Sequence, residues 1–165
     1  MSKRFNLREF QQNVLERLQA RAAGGGKSVS TLGVQVGDAF WLVDMSDINE
    51  VLPPPPLTRV PLTKPWYSGV ANVRGNLYSI VDFGVYTGGP AIPHEGQSRV
   101  LLAGQKFSFN AGLLVSRVLG LRNSTEWERS EEDGEVRLKD GGGQVWRKLE
   151  MAKLLQQPEF LQIGA

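Results

Sequence analysis

The 165-residue chain has no cysteine and a single histidine, His94. Without thiols it can form no disulfide, thiolate metal site or cysteine nucleophile, and its composition is compatible with a reducing compartment. A zinc site made from several His and Cys ligands at fixed spacing is likewise excluded. A serine triad would need His94, which sits in a Pro/Gly-containing stretch without a nucleophile elbow nearby. Nor is there a Gly-x-x-x-x-Gly-Lys-Ser/Thr phosphate loop; the glycine runs at Gly24 and Gly141 lack that lysine pattern. Charge of one sign is scarce too. Lys plus Arg number 19 against 17 Asp plus Glu, so no net field favours nucleic acid or an anionic membrane. Long apolar runs are missing, and Arg8, Glu9 and Glu16 interrupt any signal-peptide core that Lys3 and Arg4 would introduce. A cytoplasmic protein without membrane insertion, cofactor or metal is expected. One acid–base pair remains to be weighed, Asp44 and Asp82, each at the end of a strand-like run. Aspartates so placed more often accept backbone or arginine hydrogen bonds, and an enzyme is not expected.

What the chain does have is patterned apolar sequence. Leu7, Phe10, Val14 and Leu18 fall on one helical face, with Asn6 and Glu9 placed as a cap and its reciprocal partner. This predicts a helix over about Leu7 to Ala22, followed by a Gly24 to Gly26 linker, so that residues 1–27 stand apart from a domain over 28–165. The helix can dock on its own domain, pair with a partner or stay mobile. From Thr31 the period becomes two: Leu32, Val34 and Val36 alternate, Gly37-Asp38 turns the chain, and Phe40 and Leu42 lie on the returning strand. Ser46 to Val51 reads as a short helical turn. Pro53 to Pro56 then impose extended geometry without ladder donors, as a connection between strands or, less economically, a ligand for an SH3 or WW domain.

The second half echoes the first. Arg99 to Ala103 and Lys106 to Phe109 resemble the opening hairpin, Leu113 to Leu119 echoes Leu42 to Ile48, and each half ends in a hairpin, at Gly75-Asn76 and at Asp140-Gly141. Between them, 88–97 and the acidic stretch 122–134 read as exposed loops. Glu135 to Lys139 and Gln144 to Leu149 read as the last strands. Met151 to Gln156 forms a short closing helix that Pro158 stops.

The most informative stretch is Gly69 to Phe83, two alternating runs hinged on Gly75-Asn76 with Arg74 beside the hinge. Gly-Val-Ala-Asn-Val-Arg-Gly followed by Ile80, Val81, Asp82 and Phe83 resembles the signature of the CheW-like adaptor domains of bacterial chemosensory arrays. Ile48, Glu50 and Val51, then Val60-Pro61, match upstream blocks in the same order. Trp66 to Gly75, the N-terminal helix and the closing Pro-x-Phe-Leu resemble the branch that serves type IV pilus twitching motility.

The resemblance implies a mainly β fold of two SH3-like five-stranded β-barrel subdomains with a groove between them, an N-terminal helix and a short C-terminal helix. The barrels would fall at about 30–90 and 98–150, and the helix at about 151–157. It also implies partners: a chemoreceptor cytoplasmic tip, the regulatory domain of a CheA-type histidine kinase, and other CheW-like adaptors. The chain would be recruited by them to membrane-associated arrays and would act without chemistry of its own.

Ile48, Glu50, Asn72, Arg74 and Gly75 are the partner-binding positions carried over. Glu50 and Arg74 are expected to pair, Asn72 to hold the corner, and Gly69 and Gly75 to serve backbone geometry. Val100, Leu102, Leu113 and Val115 would lie in the second barrel, where the family packs hydrophobic residues against the kinase, though most must be core. Ser79 stands where the signature commonly carries proline. The competing reading is a small barrel binding single-stranded nucleic acid, with Trp41, Trp66, Tyr67 and Tyr78 as stacking platforms. It lacks a concentrated track of cations.

Overall fold

The alternating runs become eleven strands arranged in two sheets, in a computed structural model that describes residues 30–107, 109–162 and 164. The expected helix over Leu7 to Ala22 lies outside the described residues. In chain order the strands are β1 (Thr31–Val36), β2 (Ala39–Asp44), β3 (Ile48–Leu52), β4 (Tyr67–Val73), β5 (Asn76–Asp82), β6 (Arg99–Ala103), β7 (Ala111–Val115), β8 (Arg117–Arg122), β9 (Glu128–Glu132), β10 (Glu135–Lys139) and β11 (Val145–Leu149). Short helices follow β5 and β11: α1 (Phe83–Tyr86), α2 (Met151–Gln156) and α3 (Pro158–Leu161). The fold is mainly β.

One sheet runs β8-β1-β2-β11-β10-β9 and the other β3-β6-β7-β5-β4. Each centres on a hairpin, β1–β2 or β6–β7, whose second strand pairs in parallel with β11 or β5. The edge strands are exchanged. β3 follows β2 along the chain but pairs with β6, whereas β8 follows β7 but pairs with β1. The repeat legible in the sequence is therefore present in element order, but barrels at 30–90 and 98–150 are not the spatial units. Each sheet draws strands from both halves, because the parallel pairs join strands far apart in sequence.

Three local expectations are corrected. The helical turn shrinks to Met45–Asp47, and Ile48–Leu52 is a strand. The strand returning from β6 begins at Ala111 after a 3-10 turn at Gln105–Phe107. The acidic stretch 122–134 contains β9, wholly exposed and paired to β10, which makes the first sheet six-stranded rather than five. Its Glu-Arg-Ser-Glu-Glu sequence has no apolar residue to bury, so backbone pairing and the Arg137–Glu132 ion pair at 2.8 Å hold it.

The main core fills the space between the sheets, with Val34 and Val43 from one and Ile80, Leu101 and Leu113 from the other all almost fully buried. Each such side chain contributes about 1.5–3 kcal/mol relative to exposure. A smaller cluster of Leu42, Val136, Leu138 and Trp146 fills the other face of the six-stranded sheet. Helices α2 and α3 close the main core with Met151, Leu154 and Phe160, the last stacked on Trp66 at 5.9 Å. Pro158 ends α2 as expected and also opens α3 at its first turn.

Candidate functional site

The hairpin β4–β5 turns on Arg74 and Gly75, since Val73 pairs with Asn76. Both turn residues have positive φ, 53° and 86°, the signature of a type I′ turn, whose twist matches that of the strands it joins. The hinge thus lies one residue before the expected Gly75-Asn76. The arginine is inside the turn rather than beside it, in a conformation that few non-glycine residues adopt. Asn72 supports it: the Gly75 N–H donates to Asn72 Oδ1 at 2.9 Å across the turn.

Held in this way, the Arg74 guanidinium donates to both Glu50 oxygens, Nη1 to Oε1 at 2.5 Å and Nη2 to Oε2 at 2.6 Å. The two-pronged bond fixes the plane of the guanidinium as well as its position. The Glu50 hydrogen bond and charge raise the Arg74 pKa above its ordinary value. The Glu50 side chain is 18% exposed and that of Arg74 68%, so the pair is a surface feature whose net contribution to stability is small.

Its placement is more informative than its strength. Glu50 is on β3 and Arg74 follows β4, the two opposite edges of the five-stranded sheet. The sheet curls until these edges meet at the ion pair. A second link closes them nearby: Thr58 N donates to Val70 O at 2.8 Å and Val70 N to Thr58 O at 2.9 Å. Between Glu50 and Thr58 runs the Pro53 to Pro56 stretch, which carries no ladder pairing.

Of the sequence-derived positions, Glu50, Asn72, Arg74 and Gly75 come together at this corner. Ile48 is half-buried against the main core, at the start of β3 beyond a bulge. Val100, Leu102, Leu113 and Val115 are all core, at most 1% exposed, so none is available to a partner. Leu77 was missed. It pairs with Asn72 across the hairpin and is 62% exposed, and its signal was its phase, opposite to buried Tyr78 and Ile80 on β5. Ser79 uses the backbone donor that proline would lack: its N–H donates to Asn110 O at 2.9 Å.

The competing chemistries find little support in the geometry. Asp82 is buried and accepts from Val85 N at 3.1 Å and Ile92 N at 2.8 Å, while Asp44 is ion-paired with Lys148. Each aspartate is thus engaged separately in holding the fold. Trp41, Trp66, Tyr67 and Tyr78 are all buried and offer no ring face on which a base can stack. Among the described residues, no three His, Asp or Glu side chains are grouped to hold a metal ion, and no helix is long and apolar enough to cross a membrane.

Comparison with known proteins agrees with this architecture. The crystal structure of the scaffolding protein TtCheW from Thermoanaerobacter tengcongensis superposes with a TM-score of 0.68 at 18% identity, over 80% of this chain and 95% of that one. The Pseudomonas aeruginosa protein PilI is 38% identical over 97 residues, 59% of this chain and 54% of PilI. The chain therefore spans about half the length of the curated relative it matches. The model of the CheW-like domain matches residues 30–159, and the chain belongs to the CheW-like domain family.

Proposed function

We propose that this chain is a non-catalytic adaptor that couples a methyl-accepting chemoreceptor to a CheA-type histidine kinase in a chemosensory array controlling type IV pilus twitching motility. The observation that carries the reading is the Glu50–Arg74 corner, where two sheet edges fix an exposed guanidinium by two hydrogen bonds. A side chain held in this way loses little freedom when a partner binds, so its contacts convert efficiently into affinity. Ile48 and Leu77 supply apolar area close to it in the fold. The receptor's cytoplasmic tip and the kinase regulatory domain are the partners, and further CheW-like adaptors extend the array. Individual contacts can be weak, because neighbouring contacts in an array form at high effective concentration. The 38% identity with PilI supports the twitching-motility branch. The protein works in the cytoplasm and reaches the membrane through its receptor.

The test is Arg74→Ala in a pull-down with the receptor tip and the kinase regulatory domain. The variant is expected to fold normally and to lose on the order of tenfold in affinity for at least one partner. Unfolding, or undiminished capture of both partners, would leave the arginine as a structural residue only.

A further inference from the structure

The five-stranded sheet joins its own edges at the Glu50–Arg74 corner, whereas the six-stranded sheet leaves its edges open. Its outer strands, β8 and β9, each pair on one side only among the described residues. A strand edge in this state presents a row of backbone donors and acceptors to another chain. β9 is exposed at all five of its positions, so no burial of its side chains accounts for its order. On β8, Leu121 is 54% exposed, and Val118 and Leu119 are half-buried.

The two edges are opposite in charge. β8 begins at Arg117 and ends at Arg122 with no acid between them. Arg117 donates to Gln35 Oε1 at 2.8 Å and Arg122 to the Leu121 carbonyl at 3.0 Å, and neither is ion-paired among the described residues. β9 carries Glu128, Glu131 and Glu132 against Arg129. Glu128 has no cation among the described residues, and the side chain of Glu132, which meets Arg137, is still 64% exposed. Joining like edges of two copies would set arginines beside arginines or acids beside acids, which is unfavourable across strands.

Spacing matches as well as sign. A bulge in β8 takes up one residue, so Arg117 and Arg122 pair on β1 with Gln35 and Thr31, four positions apart and on one face. Glu128 and Glu132 are likewise four positions apart on one face of β9. In an antiparallel pairing of β8 with β9, Glu132 falls opposite Arg117 when Glu128 falls opposite Arg122. Within one chain these two strands run in the same direction, and the acids lie on the opposite face from the arginines. Antiparallel joining turns one copy over and brings all four side chains to the same side.

We propose that copies of this chain join head to tail, β8 of one copy pairing antiparallel with β9 of the next, so that the six-stranded sheet continues from molecule to molecule. Each contact uses a different patch on its two partners and leaves a free edge at either end, so it builds an open row rather than a closed pair. This specifies a surface for the contact between adaptors named above. It does not rest on the Glu50–Arg74 corner, so either reading can fail alone.

The test is sedimentation velocity of the full chain without receptor or kinase, taken into the millimolar range that an array provides. Species are expected to grow with concentration and to shrink as salt is added. Arg117→Glu with Arg122→Glu in one protein, and Glu128→Lys with Glu132→Lys in another, should each weaken association by about tenfold or more. Arg117→Glu alone, at an exposed position, should show part of the same loss with the fold intact. Mixed in equal amounts, the two double variants should associate again, because each supplies the edge that the other has reversed. A parent that stays monomeric or stops at a dimer, double variants that associate separately as the parent does, or a mixture that stays monomeric would overturn the proposal.

Discussion

Replacing Gly69 with alanine tests how the curled sheet is closed. Gly69 has φ 141°, and a Cβ built there falls 2.5 Å from the carbonyl oxygen of Thr58 and 3.1 Å from its carbon. These are backbone atoms that no rotamer change can move. The conformation costs a non-glycine residue about 1–3 kcal/mol. Displacing Thr58 also breaks its two main-chain bonds to Val70, each with a net contribution of about 0.5–1.5 kcal/mol. Gly69→Ala should therefore lose roughly 2–6 kcal/mol, or roughly 5–20 °C in Tm for a domain of this size. Gly75→Ala is the control: φ is 86° but nothing lies within 4 Å of its Cβ, so backbone strain of about 1–2 kcal/mol is the whole expected loss. Urea unfolding of both variants against the parent, read from midpoints at unchanged m, gives the comparison. Equal losses in the two variants would refute the argument that the approach of Thr58 to Gly69 constrains this edge.

Gly112→Ala would place a Cβ 2.7 Å from Val100 Cγ1 and 2.8 Å from Ile80 Cδ1, and should lose about 1–3 kcal/mol by overpacking; adding Val100→Ala should give less than the sum of the single losses in the same urea measurement. Asp82→Ala leaves the Val85 and Ile92 N–H groups without their acceptor and should lose about 2–4 kcal/mol in chemical unfolding. Asp140 accepts from Trp146 Nε1 at 3.1 Å and from the Gln144 and Gly142 N–H groups, each at 2.9 Å, and these bonds, the Trp146 one foremost, lower its pKa below 3.8. A depressed folded-state pKa means stabilisation that is present above about pH 4 and lost as pH falls through the folded value, so the stability gap between parent and Asp140→Asn should close on acidification in pH-dependent unfolding.

The β4–β5 hairpin is legible because glycine and alternation mark hairpins, yet the turn falls at Arg74-Gly75, one residue before Gly75-Asn76. Arg74 rather than Asn76 takes the left-handed position, and residue propensity alone favours asparagine there. Strand β3 does not show in the sequence because Ile-Asn-Glu-Val-Leu is half-buried throughout and bulged, which blurs the period of two. Strand β9 was invisible to apolar alternation for lack of any apolar residue. The exchange of β3 and β8 between the sheets was beyond local pattern. It depends on pairings such as Leu52 with Val100, which no short window of sequence contains. At the site, Glu50 and Arg74 pair as the resemblance implies, whereas exposed Leu77 is marked only by its phase on β5, opposite to Tyr78 and Ile80.

The proposed adaptor role requires that the corner bind through the arginine's position, beyond any part the ion pair has in holding the sheet. The most direct measurement is calorimetric titration of the receptor tip and kinase regulatory domain into parent, Arg74→Glu, and the exchanged pair Glu50→Arg with Arg74→Glu. The exchanged pair is expected to retain parental folding stability but to bind as poorly as the single variant. Recovery of parental affinity in the exchanged pair would contradict it.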